Sequence, residues 1–305
     1  MHSRRNALLL LHFTVFIWGF TGILGKLIQE QQGTFQLVYT RTIIAMVGLA
    51  VGALWMRRSL SLRTPDLKHY LLTSLIITAH WITFYGAIQI STASIAVACL
   101  STSTVFTALL EPFWSKRRTR AYEVVLGIIV VAGLLLIFGL ESGYREGIIV
   151  GTFSALFGAW FNIVNAVLVK RGEALRIGFY EMAGTSITMA IFLFFTDDLP
   201  PPVWELPDMI IVWHLLLGLV CTSFAFVAGI MVMRQLSPFT VVLTLNLEPI
   251  YTIIIALLIW GSEEKLHTGS YLGIALILAC LFVNGWLQRD RPPEEVVEPA
   301  PLTLG

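Results

Sequence analysis

Apolar residues run through this chain in ten long blocks, at about residues 7–28, 35–56, 69–90, 93–114, 122–140, 147–169, 177–196, 209–234, 238–260 and 268–288. A helix that crosses the hydrocarbon of a bilayer needs roughly 20 mostly apolar residues. Strands usually run about 3–10 residues between frequent turns, so blocks of this length predict helices instead. The gaps are short and hold Gly, Pro, Ser or charge. The widest runs from Thr196 to Asp208 and contains Asp197, Asp198 and the prolines from Pro200 to Pro202, the pattern of an extended loop. The first block outruns the roughly 7–15 apolar residues of a signal peptide and predicts a retained first helix. Beyond Gln288 the chain turns rich in Pro and Glu, and residues 289–305 are expected to form a disordered cytoplasmic tail.

Composition supports lipid as the solvent. Of the 305 residues, 56% are hydrophobic and 13% charged, where soluble domains carry about 25% charge. The net charge of +1 gives no reason to expect a nucleic-acid partner. Cys99, Cys221 and Cys280 all fall in apolar blocks without metal-ligand spacing and are expected to pack as small apolar residues. The predicted class is an all-α integral membrane protein of ten transmembrane helices.

Basic residues orient the helices, because short cytoplasmic loops accumulate Lys and Arg. With ten helices both ends of the chain share one side. That side holds sixteen basic residues, clustered at Arg4–Arg5, Arg57–Lys68, Lys116–Arg120, Lys170–Arg176, Arg234 and Arg289–Arg291. The opposite side holds Arg145 and Lys265. Both termini are therefore expected in the cytoplasm, with the helices in a plasma (inner) membrane.

The two halves of the chain are weakly alike. At a shift of 145, Leu71-Leu72 falls on Leu216-Leu217, Leu100 on Leu245 and Thr107 on Thr252. At 146, Leu126-Gly127-Ile128 falls on Leu272-Gly273-Ile274, and at 139 Gly19 falls on Gly158. The expected units are 1–140 and 141–288. Five helices in each make the second unit inverted relative to the first, an arrangement that lets two halves rock about a central site.

Several stretches carry a resemblance: Ile17-Trp18-Gly19, Tyr39-Thr40-Arg41-Thr42, Phe106 to Pro112, Phe179-Tyr180-Glu181-Met182, Leu247-Glu248-Pro249-Ile250-Tyr251 and Trp260-Gly261-Ser262-Glu263. With the inverted repeat, the chain resembles EamA-type transporters of the drug/metabolite transporter superfamily over roughly residues 7–288. One departure is that Ser115-Lys116-Arg117-Arg118 stands where the second half has its Gly-Glu turn. The resemblance implies a secondary active transporter of a small metabolite, amino acid or drug-like compound. Export is the commonest direction, with alternating access and a proton or substrate gradient as the energy source. It needs no cofactor, nucleotide or metal. A lipid or polyprenyl-carrier flippase and a metabolite importer are the alternatives; an enzyme is disfavoured, since no His-x-x-x-His or Gly-x-Ser-x-Gly occurs. Oligomeric state cannot be read from the sequence.

Ionisable residues inside a membrane cost about 2.5–3.5 kcal/mol on insertion scales and usually face a cavity or a partner. Glu248 sits about 15 Å into the ninth segment, near the midplane of a core roughly 30 Å thick, on one stripe with Thr240, Thr244 and Tyr251. It is a candidate for proton coupling or for contact with a substrate amine, or else a carboxyl bonded to a neighbouring helix. Arg41 falls on Glu181 at a shift of 140, suggesting a substrate clamp or a pair of gates; otherwise Arg41 bonds carbonyls and Glu181 pairs with Arg176. Lys26, whose repeat counterpart is Asn165 beside Asn162, is expected mainly to snorkel, and with Arg41 it could supply a flippase headgroup site. Glu111 is expected to pair with Lys116 or Arg118. His80 lies off the stripe of Ser74, Thr78, Trp81 and Tyr85 and reads as a packed, bonded histidine, whereas His12, His214 and His267 read as interfacial. Trp18, Trp81, Tyr85, Trp160 and Tyr251 are candidate aromatic walls of a cavity, or ordinary packing.

Overall fold

A computed structural model of the protein describes residues 4–62, 66–114, 121–202 and 205–288. All regular structure among them is helical. Among the described residues, eight helices are long and apolar enough to cross a membrane: α1 (Arg4–Gln29), α2 (Thr34–Trp55), α3 (Leu67–Ile90), α4 (Ala93–Trp114), α6 (Ser142–Arg171), α7 (Ala174–Thr196), α8 (Asp208–Val232) and α9 (Pro238–Glu264). Two further apolar helices, α5 (Ala121–Leu140) and α10 (Thr268–Gln288), complete the ten. The protein is a multi-pass membrane protein. Many large apolar side chains point outward, among them Leu54, Phe113, Phe195 and Leu258, as expected where lipid is the solvent. Arg63, Lys116, Arg117, Arg118, Arg120, Arg289, Arg291 and the tail lie outside the described residues, and so do the partners expected for Glu111.

The helices do not pack in chain order. α6 lies against α3 and α4, and α7 also lies against α3. In mirrored fashion, α1 lies against α8 and α9, and α2 against α8. The result is two four-helix bundles: α3, α4, α6 and α7 in one, α1, α2, α8 and α9 in the other. The repeat relation carries each bundle onto the other, exchanging α1 with α6, α2 with α7, α3 with α8 and α4 with α9. The bundles meet along α2–α7 and α4–α9. Beside them α5 and α10 cross closely. A Cβ built on Gly133 would stand 2.7 Å from the carbonyl oxygen of Gly273, and one on Gly273 would stand 2.6 Å from that of Gly133, so only glycine allows the two backbones to approach this far.

Four of the spans are interrupted. α4 breaks at Ser101-Thr102, between Ala93–Leu100 and Ser103–Trp114. α9 breaks at Asn246-Leu247, between Pro238–Leu245 and Glu248–Trp260. These breaks are separated by 145 residues, the shift of the repeat. α1 breaks at Gly19-Phe20, and α8 carries a π-helical stretch over Leu216–Phe224. The apolar pattern predicts continuous helices at all four places. It is blind to the breaks because the freed backbone groups find partners inside protein. The Thr102 hydroxyl donates to the Cys99 carbonyl at 2.7 Å, the Thr252 hydroxyl to the Gly19 carbonyl at 2.8 Å, and the Trp18 indole N–H to the Cys221 carbonyl at 3.0 Å.

Candidate functional site

The breaks surround a cavity between the two bundles, with about 740 Å3 of empty space, part of it open at the mouth. One bundle contributes His80, Trp81 and Phe84 from α3, Leu100 and Ser103 from α4, and Gly158, Phe161 and Asn162 from α6. The other contributes Trp18 and Thr21 from α1, Arg41 from α2, Phe226 from α8, and Leu245 and Glu248 from α9. Three facing pairs are repeat equivalents at the shift of 145: Trp81 with Phe226, Leu100 with Leu245, and Ser103 with Glu248. The wall is thus built twice from the same places, with leucine at one pair and different chemistry at the other two.

Arg41 is the most elaborately held residue. It is 2% exposed. Its Nε–H donates to the Thr222 hydroxyl at 2.7 Å and its Nη1–H to the Tyr85 hydroxyl at 2.6 Å. Its guanidinium carbon lies 4.2 Å from the Trp81 ring centroid and 5.7 Å from that of Tyr85. Stacking and two bonds fix the plane of the fork. The π-helical stretch helps to place Thr222, whose hydroxyl also reaches back five residues to the Leu217 carbonyl at 2.7 Å. Such stretches often mark functional sites. Among the described residues Nη2 has no protein partner, although it is not sealed off, and so it opens onto the cavity.

Glu248 opens the second half of α9, directly after the break. Pro249 behind it fits that position, because the first residues of a helix need no internal N–H donor. Among the described residues its carboxyl has no hydrogen-bond or ion-pair partner and is not sealed from the cavity. A buried charged group without a partner is expensive. Here a carboxyl and a guanidinium face one space without closing on each other. Across from them the His80 Nδ1 contacts the Ser154 carbonyl at 2.9 Å and hydroxyl at 3.0 Å, which turns the other ring edge toward the lining. The Asn162 amide donates to the Gly158 carbonyl at 2.8 Å.

Of the ten residues singled out from the sequence, Trp18, Arg41, Trp81 and Glu248 line the cavity. Tyr85 is fully buried and stands behind Arg41. Thr244 bonds its own helix at Thr240, and Tyr251 packs edge-on against Phe16 at 5.4 Å. Glu181 is fully buried and takes a bond from Asn165 at 3.3 Å, while Arg176, its expected partner, donates to the Ser59 carbonyl. Arg41 and Glu181 therefore do not face each other. Lys26 does more than snorkel, forming an ion pair with Glu264 at 2.8 Å. That places it in a different contact from Arg41. Ser74 and Thr78 bond carbonyls of their own helix instead of lining the cavity. His214 is fully buried against Gln32 at 2.7 Å, just beyond the end of α1.

The polar and aromatic wall residues that sequence reasoning passed over are His80, Thr21, Phe84, Ser103, Phe161, Asn162 and Phe226. A signal for Ser103 and Phe226 was present: they are the repeat partners of Glu248 and Trp81. Among the described residues no His, Cys, Asp or Glu group is arranged to hold a metal ion.

The comparisons with known proteins agree with this architecture. A transporter of Bacillus subtilis (strain 168), described as the uncharacterized transporter YoaV, is 23% identical over 276 residues, covering 88% of this chain and 92% of the relative. A crystal structure aligns with a TM-score of 0.71 at 16% identity, over 95% of this chain and 100% of the other, which shows the shared fold. The model of the EamA-like transporter family matches residues 5–139 and again 145–286. Those two matches take in all ten helices, and the chain belongs to the EamA-like transporter family.

Proposed function

We propose that the protein is a secondary carrier for a small amphipathic metabolite bearing both a carboxylate and a protonated amine. The observation that carries this reading is the pair of unclosed groups in one aromatic cavity, Arg41 Nη2 and the Glu248 carboxyl. A guanidinium edge is a carboxylate receptor, and a buried carboxyl receives an ammonium. Trp18, Trp81, Phe84, Phe161 and Phe226 give the apolar part of the ligand a matching wall. A ligand with both charges satisfies both groups and removes the cost of leaving them unpaired.

In this reading the units 1–140 and 141–288 are the inverted repeats, and the two bundles rock about the cavity to expose it to either side in turn. The crossing of α5 and α10 provides a tight contact beside the moving seam. The membrane is the plasma (inner) membrane, with both termini in the cytoplasm, and export is the working direction. Glu248, freed when the ligand leaves, is the group available to take up a proton and couple transport to the proton gradient.

The test is comparative metabolomics of the medium around cells producing the wild type or Glu248→Gln at matched membrane levels. A zwitterionic compound that accumulates outside only with the wild type establishes export and places Glu248 in it. Equal media from both strains and an empty control overturn the export reading, and uptake assays with labelled zwitterions then decide whether the carrier works inward.

A further inference from the structure

Glu264 closes the last turn of α9, just after the 13-residue half-helix that begins at Glu248. Its side chain is completely buried, yet it belongs to no wall of the cavity. It is bonded on every side. Lys26 Nζ donates to Oε1 at 2.8 Å, the Ala93 N–H to Oε1 at 3.2 Å, and the Ser94 N–H to Oε2 at 2.9 Å. Lys26 is itself stacked 4.3 Å from the Trp260 ring centroid. Ala93 and Ser94 are the first residues of α4, so the carboxylate sits on the free N–H groups and positive end of that helix.

The bonds cross the seam between the bundles. Lys26 and Glu264 come from α1 and α9, Ala93 and Ser94 from α4 of the other bundle. Two neutral contacts cross at the same end. The Gln29 amide donates to the Tyr85 carbonyl at 2.9 Å, and the Thr34 hydroxyl donates to Gln89 at 2.9 Å. This end is the one away from Arg4 and Gln288. Among the described residues the other end is crossed by different bonds: Arg58 pairs with Glu173 at 3.2 Å, and Arg176 and Arg234 donate to the carbonyls of Ser59 and Gly172. The counterpart of Lys26 is the uncharged Asn165. The counterpart of the α4 start is the start of α9 at Pro238, where Ser237 caps its own helix by accepting from the Thr240 N–H at 3.2 Å.

We infer that Glu264, held by Lys26, is a latch: its carboxylate locks the N-terminus of α4 to the opposite bundle and keeps the cavity closed toward the side away from the termini until those bonds break. The inference rests on the rocking of the two bundles proposed above. A carboxylate held by an ammonium and two amides makes charge-assisted bonds that are strong in a dry setting. The Glu264 side chain is completely buried, whereas Arg58 and Glu173, which pair across the seam at the other end, are both exposed, so the bonds on this side act in the drier setting.

The test uses the full-length protein with Cys99, Cys221 and Cys280 replaced by Ala and a reporter, Ser103→Cys, in the cavity wall. Intact cells and inside-out vesicles are exposed to a membrane-impermeant maleimide. In Glu264→Gln and in Lys26→Met, labelling from the side away from the termini is expected to rise several-fold over the parent, while labelling from the other side falls or stays. Lys26→Met keeps the stem on Trp260 and carries the test if Glu264→Gln fails to reach the membrane. The exchange Lys26→Glu with Glu264→Lys should not restore the parent rate, because the Ala93 and Ser94 amides need an acceptor; full restoration would overturn the latch in favour of a simple ion pair. Unchanged labelling in both single variants, with the reporter reachable from the terminal side, overturns the latch and leaves the carrier reading standing. Passage of the impermeant maleimide itself through the parent protein into sealed vesicles describes a permanent pore and overturns both.

Discussion

Arg41→Lys is the sharpest probe of the cavity chemistry. The substitution keeps the charge and most of the stem but replaces a planar fork with a point charge. In the protein the fork makes two bonds, to Thr222 at 2.7 Å and Tyr85 at 2.6 Å, and lies over Trp81 at 4.2 Å. Those contacts aim Nη2 into the cavity. An ammonium can keep one of the anchoring bonds, or turn to the ligand, but has no rigid geometry that does both. The ligand then loses one hydrogen bond to a charged group, about 1.5–3 kcal/mol. At about 1.4 kcal/mol per tenfold, KM should rise roughly 10- to 100-fold. The assay is uptake or exchange of the identified substrate in proteoliposomes, for wild type, Arg41→Lys and Arg41→Gln. A substrate analogue with its carboxylate blocked as an amide should bind more weakly to the wild type and lose little further in Arg41→Lys. If Arg41→Lys lowers thermal stability but leaves KM within about threefold of wild type, Arg41 only ties α2 to α3 and α8, and the carboxylate-binding role is wrong.

Three further outcomes are expected. Gly25→Ala places a Cβ against the Tyr85 ring, whose hydroxyl anchors Arg41; overpacking of this kind costs about 1–3 kcal/mol, so both the unfolding temperature in detergent and transport should fall, and wild-type values in both would show that Tyr85 yields freely. Gly273→Val drives a branched side chain toward the Gly133 carbonyl and should lower stability by a similar amount of about 1–3 kcal/mol; an unshifted melting curve would mean that α5 and α10 separate without penalty. Cys99, Cys221 and Cys280 are all buried, so the native protein should react with a bulky maleimide only on unfolding, and rapid labelling of any one of them in the folded protein would contradict its place in the core.

The ten-helix plan was legible in the sequence because the bilayer enforces it. Every backbone polar group at that depth must be satisfied within protein, and the segments must be about as long as the hydrocarbon is thick. That constraint writes itself as long apolar blocks, which is why segment ends such as 93–114 and 268–288 agree with Ala93–Trp114 and Thr268–Gln288. The intramembrane charges stood out for the same reason, since each is too costly to be accidental.

What those charges face was decided only by tertiary structure. Helical position puts Lys26, Arg41, Glu181 and Glu248 at particular depths, but depth does not say which neighbour is across the gap. The exchange of α1 and α2 with α6 and α7 between the bundles sets those neighbours. It sends Glu181 to Asn165, Lys26 to Glu264 over 238 residues of chain, and Arg41 with Glu248 to one shared cavity. His80 shows the same limit: a stripe on one helix cannot reveal that a bond to Ser154 of another turns its ring toward the cavity. The breaks in α4 and α9 were equally silent, because hydropathy averages over side chains and does not register two backbone turns whose polar groups are satisfied within the turn, as the Thr102 and Leu247 N–H groups are by the carbonyls of Cys99 and Thr244. The sequence by itself determined the solvent, the number of crossings and the set of costly groups, all properties local to a segment. Packing between segments alone decided which of those groups meet, since that depends on long-range contacts that no single segment contains.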